Sequence, residues 1–556
     1  MRFSLLISLL VFSFLPSLTI GQEVYKITYN FFSHGKPSNR PAMVVFATEG
    51  QSFILRETDL TPDPQRPSES FFVDFNSKLF YRQFAHLNKT IATVDSTALN
   101  KYQYNLIAEE QTLLDYPAQK ASLSVNSNAI DIWYSTALGI HAAPGEVGLS
   151  LGLVLEQTQN NNSTWRATKI EKLDKMPAIA KKPNQNVLTQ RLDYQDFIWK
   201  SKFIQIPIFQ NERIAFRPDQ VESDSILRFA AGTVILKKVK IPEITSNSQA
   251  FIQLVEKSTG DAYDRTGSVF LIAEDQKMSF LDGMKNGMET LPAYPVAGEE
   301  NKYLGMTRTD TYSPIYELMR FFTPFGVTHF NDRVTLKGKT WQDSVIYRQD
   351  ISEFIPAISG KEVYIGTYIG NYDLGGHTVS LELTIHPGKS IYAQNSKILS
   401  LFNTVNVMEM GGQTYATLFE HEKGLEFTFI APEDMNNVKL RYVTTGHGGW
   451  GNGDEFVPKP NSIYLDGKLA FQFTPWRTDC GSYRLYNPVS GNFENGLSSS
   501  DLSRSNWCPA TVTNPIYIDL GHIKAGEHTI RIHIPQGPRE GNSFSFWNVS
   551  GALLYD

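Results

Sequence analysis

The residues best placed to do chemistry fall in two stretches. The first is 442–456, YVTTGHGGWGNGDEF, where five glycines lie within positions 446–453, Trp450 sits inside the run, and Asp454 and Glu455 follow it directly. Glycine costs backbone entropy and is kept where the chain needs positive φ or a close approach. An aromatic face and carboxylates at the end of a β-like run are what a loop site uses to stack on and polarise a ligand. The second stretch is 258–267, STGDAYDRTG, in which Asp264 stands beside Arg265. A neighbouring guanidinium can lower a carboxyl's pKa, and that is the expectation for Asp264. Each stretch also has a plainer reading, a Gly-rich connection with an exposed acid and a solvated pair in a turn.

Other chemistries find little support. His528 and His533 are five positions apart on a strand-like segment, an odd separation that sends them to opposite faces, so no shared metal ion is expected. No HxH, HExxH, GxSxG or P-loop pattern occurs. No metal or other cofactor is therefore expected. The net charge of -6, from 51 basic and 57 acidic residues, and the lack of a basic tract argue against nucleic acid as a partner.

The elements that must hold these residues read as strands. Segments 43–55, 71–81 and 121–134 alternate and break at Glu49-Gly50, Asn76-Ser77 and Asn126-Ser127-Asn128, as hairpins do. Beyond position 225 the β pattern resumes at 236–241, 251–255 and 268–272, and alternation is clean at 379–385, 425–429, 516–520 and 530–534. Asp466-Gly467 marks a further hairpin, and a helical turn or two is expected only at 313–322. Many short strands in succession argue for sandwiches of the jelly-roll kind. Polar stretches at 181–186 and 217–225 have the composition of connectors, which puts the main boundary near residue 225.

Positions 1–22 combine a basic start, an apolar run and a small-residue exit, the pattern of a secretory signal peptide. No later stretch reaches the ~18 unbroken apolar residues of a membrane helix. A secreted or periplasmic chain without stable membrane insertion is expected. In such a compartment the two cysteines, Cys480 and Cys508, favour one disulfide. With no exposed heptad or long sticky strand, a monomer is expected.

From about residue 226 onward the chain resembles the peptide-N-glycosidase F family of bacterial amidases. The matching pieces come in order: GDAYDRTGSVFL (260–271), FFTPFG (321–326), SGKEVYIGTYIG (359–370), GGWGNGDEF (448–456) and RSNWCP (504–509). The resemblance implies an all-β fold of two adjacent eight-stranded antiparallel jelly rolls, at 226–388 and 389–556, with the site in the cleft between them. It implies that Asp264 is the principal catalytic acid and Glu455 the second. Arg265, Trp450, Arg504 and Trp507 fall on cleft residues, and Cys480 with Cys508 on a disulfide. The implied reaction is hydrolysis of the amide between asparagine and the innermost N-acetylglucosamine of N-linked glycoproteins and glycopeptides.

The chain departs from the family where a third acid belongs. A Glu-Thr-Trp segment is matched by Gly366-Thr367-Tyr368, which implies a cleft wider beside the first sugar, lined there by Gly366 and Tyr368, with activity resting on Asp264 and Glu455 and a core substituent such as fucose tolerated. Asp454 and Val457 replace a family disulfide, and Phe456 a tryptophan. Residues 23–225 lie outside the enzyme match and look like the separate β-rich, bowl-like domain of longer family members, expected to select or present glycoproteins. Two other readings stay open: a non-catalytic glycan-binding protein on the same fold, and an endo-glycosidase using two carboxylates.

Overall fold

The computed structural model describes residues 23–217, 225–245, 247–296, 303–330, 335, 337–388, 396–449, 452–488 and 498–556. The chain divides into two compact units, one ending at Ser201 and the other running from Lys202 to Asp556. The expected signal peptide, positions 1–22, lies outside the described residues.

In the first unit, twelve strands form one antiparallel sheet in which neighbours in sequence are mostly neighbours in space. The expected hairpins are all present: Met43–Ala47 with Gln51–Arg56, Ser68–Asp74 with Leu79–His86, and Tyr116–Val125 with Asn128–Ser135. Strand alternation decides which core each side chain joins. In Met43–Ala47, Val45 and Ala47 enter the cluster built around Ile27, Ile54 and Tyr29, while Val44 and Phe46 enter one on the other face. That second face is covered by Met176, Ile179, Ala180 and Leu188. Both faces of these strands are buried.

The second unit contains two sandwiches. One packs a four-stranded sheet, with Ser248–Ser258 and His377–Pro387 at its centre, against a six-stranded sheet that includes Val234–Lys240, Glu362–Ile369, Thr266–Leu271 and Tyr316–Phe322. The other packs two four-stranded sheets, one containing Met435–Gly448 and Ser545–Tyr555, the other Leu425–Ala431 and Gly526–His533. Val512–Thr513, late in the chain, completes the edge of the six-stranded sheet. Two buried arginines fasten the sandwiches to each other: Arg441 donates to Glu353 at 2.7 Å and to the Glu317 carbonyl at 2.9 Å, and fully buried Arg320, paired with Glu317 on its own strand, donates across to the Asn548 carbonyl at 2.6 Å.

Two expectations change. The boundary lies at Ser201 rather than near residue 225, because Ile204–Ile214 pairs with His377–Pro387 and so belongs to the second unit. The helical turns expected at 313–322 are instead the strand Tyr316–Phe322, every residue of which is buried. Pressed on both faces, it shows no period-two alternation to betray it. Among the described residues no helix is long and apolar enough to cross a membrane.

Candidate active site

Asp264 lies in the loop between Ser248–Ser258 and Thr266–Leu271, and Glu455 lies beyond the end of Met435–Gly448. Their meeting depends on how the glycine run folds. Gly448 and Gly449 adopt positive φ, and Gly449 packs so closely on Gly453 that a Cβ on either would stand 2.3 Å from the other's Cα. No side chain fits there, and the tight turn delivers Asp454 inward and Glu455 to the cleft. Asp454 is structural: it takes the indole N–H of Trp547 at 2.8 Å and the Gly537 amide at 3.0 Å.

Arg504 joins the two candidate acids. Its Nη1 donates to Glu455 Oε1 and lies 3.4 Å from Asp264 Oδ2, and its Nη2 donates to the Ser499 carbonyl at 2.5 Å. The guanidinium is sandwiched by Trp507 at 4.5 Å and Phe456 at 5.0 Å and is only 2% exposed. Trp507 is itself fixed, by its N–H to the Gly446 carbonyl at 2.9 Å and by stacking on Phe322. The Cys480–Cys508 disulfide closes a loop of 28 residues around this segment, a tie of roughly 3–4 kcal/mol.

The electrostatics of Asp264 overturn the sequence expectation. Burial drives its carboxyl up, Arg504 pulls it down, the Glu455 charge adds to the rise, and the outcome is a pKa raised to about 7. Arg265 pulls less than Arg504 does, because its guanidinium turns away to Asp261, donating through Nε at 2.8 Å and Nη2 at 3.1 Å. Glu455 is also raised by burial, against Arg504. The Asp264 side chain is 14% exposed and that of Glu455 18%, so water reaches both. Asp264 Oδ2 has no hydrogen-bond partner among the described residues.

Both acids line a cavity of about 330 Å³ together with Arg265, Tyr368, His447 and Trp507. The structure thus brings Asp264, Glu455, Arg265, Arg504, Trp507 and Tyr368 into one region. Trp450 lies outside the described residues. Gly366 does not line the cavity: the Phe270 ring covers it, and a Cβ there would meet that ring at 2.4 Å. Gly366 therefore faces the core packed around Phe270 and not the cavity.

Several residues escaped the sequence reading. Asp261, fully buried, is bonded by Arg265, Asn371 and His377, and His377 Nδ1 lies 2.7 Å from Glu256. The four-residue spacing of Asp261 and Arg265 was the available signal. His447, in the glycine run, stacks on Phe546 and bonds Thr445 at 2.7 Å; burial, with Arg320 and Arg504 nearby, holds it well below its ordinary pKa and so neutral. Glu409 reaches the cavity from the second sandwich, and nothing in its sequence surroundings marks it.

Comparison with known proteins agrees with this architecture. Residues 205–385 match the family model described as peptide-N-glycosidase F, N terminal, and residues 414–554 its C-terminal counterpart. Residues 27–196 match the model described as N-glycanase peptide, N-terminal domain. Two crystal forms of PNGF-II are 48% identical to the chain: the C2 form covers 96% of this chain and 98% of its own with a TM-score of 0.89, and the P21 form 96% and 99% with 0.91. Recombinant N-glycanase F is 15% identical over 64% of this chain and 96% of its own, with a TM-score of 0.42, too slight a likeness to carry an inference. No curated protein matches the chain.

Proposed function

The chain belongs to the peptide-N-glycosidase F family, and from that premise we propose that it is an exported amidohydrolase that releases N-linked glycans from the asparagine side chains of glycoproteins and glycopeptides. The observation that carries this reading is Asp264, a carboxyl raised to about 7 on the cavity wall, sharing the buried Arg504 with Glu455.

Hydrolysis of an unactivated amide needs a water held in place and deprotonated as it attacks. A general base is most effective when its pKa lies near the working pH. Asp264 meets that condition through burial and the Glu455 charge. It takes a proton from water while the oxygen bonds to the side-chain carbonyl carbon. The C–N bond then breaks, and the proton passes to the departing nitrogen. Aspartate remains on the peptide, and the glycan leaves as a glycosylamine that later loses ammonia in water. Glu455 assists at the amide or holds the chitobiose end, and Arg504 fixes the two carboxyls relative to each other. Trp507 is largely occupied in clamping Arg504, so its role is positioning. The first unit, by this reading, selects or presents glycoprotein substrates.

The test is a mass spectrum of an N-glycopeptide after incubation in heavy-oxygen water. Aspartate at the former glycosylated asparagine, carrying one heavy oxygen, is expected. A peptide retaining one N-acetylglucosamine would mean a glycosidase, and a bound but uncut glycopeptide a glycan-binding protein.

A further inference from the structure

His447 lines the same cavity as Asp264 and Glu455, yet the proton transfers proposed above do not use it. Its ring is held in an aromatic box, stacked on Phe546 at 5.0 Å, with Trp507 at 5.2 Å and Phe322 at 5.6 Å. Only 5% of the residue is exposed. Burying an imidazole so far is costly unless its polar atoms find partners, and its two nitrogens differ in this respect.

One nitrogen is fixed by a chain of buried groups. Arg320 donates from Nε and Nη2 to the Glu317 carboxylate at 2.9 and 2.7 Å, and from Nη1 to Thr445 Oγ1 at 3.1 Å. Thr445 is fully buried, and beyond Arg320 its hydroxyl has one partner among the described residues, His447 Nε2 at 2.7 Å. Arginine can only donate. The threonine oxygen therefore accepts from Arg320, and its own proton reaches a buried acceptor only by going to Nε2. Burial and the charges of Arg320 and Arg504 keep the ring neutral, so with Nε2 bare the ring proton sits on Nδ1. Nδ1 bonds nothing among the described residues and, unlike Arg504 Nε, is not sealed from solvent.

The arginines beside the acids are already engaged. Arg504 donates to Glu455 and the Ser499 carbonyl, and Arg265 turns to Asp261. When water attacks an amide, the C=O electron pair moves onto oxygen, and the charge that develops is stabilised by a donor fixed in place beforehand.

We propose that His447 is a further catalytic residue of this cavity, donating from Nδ1 to the side-chain carbonyl oxygen of the substrate asparagine as it becomes an oxyanion, with Thr445 and Arg320 as positioning residues that set the tautomer. The assignment rests on the amidase reading above. No covalent bond to His447 forms: the electron pair returns to restore the carbonyl as the C–N bond breaks. A neutral donor suits the task, because it keeps its proton while Asp264 exchanges one.

Three variants of the full chain, assayed on one glycopeptide, test the assignment. His447→Leu should lower kcat about 10²-fold, the scale of one lost oxyanion donor, with KM within about twofold. The amide nitrogen of asparagine falls where Nδ1 lies and that of glutamine where Nε2 lies. His447→Asn should therefore keep kcat within about tenfold of wild type, while His447→Gln, which still offers Thr445 an acceptor, should be as slow as His447→Leu. A merely structural role would reverse that order. Nitrogen NMR of the histidine-labelled wild type at pH 7, with the His447 signals assigned by their loss in His447→Gln, should show a protonated Nδ1 and a bare Nε2, a result that does not depend on how any variant folds. Wild-type kcat in His447→Gln, or a proton on Nε2, would overturn the assignment and leave the amidase reading standing. A wild-type chain that cuts no glycopeptide would remove both.

Discussion

Asp261 and Asp264 sit in the same loop, yet their surroundings send them in opposite directions. Burial pushes the Asp261 carboxyl up, but bonds from His377 and Arg265 outweigh it, and the group is held well below the usual range. At Asp264 burial is opposed mainly by an arginine already committed to Glu455, and the pKa is raised to about 7. One carboxylate is therefore a fixed charge that anchors Arg265, and the other is poised to exchange a proton. Adjacency in sequence is a poor guide to which acid an arginine serves: Arg265 follows Asp264 and pairs with Asp261.

The contrast can be broken at either acid. Asp264→Asn should cut turnover about 10³-fold, the scale of a lost general base, with the fold intact. Asp261→Asn should act mainly on stability, by about 3–5 kcal/mol, because it leaves Arg265 and His377 without their buried partner. Urea unfolding beside glycopeptide turnover separates the two. Equal effects on both measures in both variants would erase the distinction.

A smaller effect sharpens it. His377 is fully buried; desolvation lowers its pKa, but bonds to Asp261 and Glu256 win and raise it to about 9. A histidine raised above its unfolded value of about 6.5 contributes stability that is complete below that pH and disappears as pH rises through about 9, on the order of 3 kcal/mol in all. Unfolding free energy should fall between pH 6.5 and 9.5 in the wild type, and this slope should be absent in His377→Gln.

Much of this was legible from residue order alone, for physical reasons. The hairpins at Glu49-Gly50, Asn76-Ser77 and Asp466-Gly467 announce themselves because turn chemistry is local. Tyr316–Phe322 does not, because a strand buried on both faces carries no alternation. Asp264 and Glu455 were legible through the resemblance, and the glycine run pointed to a close approach that Gly449 and Gly453 supply. Nothing local could reveal that Arg504 would reach both acids, that Phe270 would cover Gly366, or that Glu409 would arrive from the other sandwich, since each depends on contacts far apart in the chain.

The most direct test of the central claim is the pH dependence of kcat/KM for a single glycopeptide, which reports the ionisation of the free enzyme. With Asp264 as a base raised to about 7, the rate should fall tenfold per unit below pH 7. A profile that stays flat down to about pH 5 would mean that an ordinary carboxylate, or none, carries the reaction, and would contradict the account.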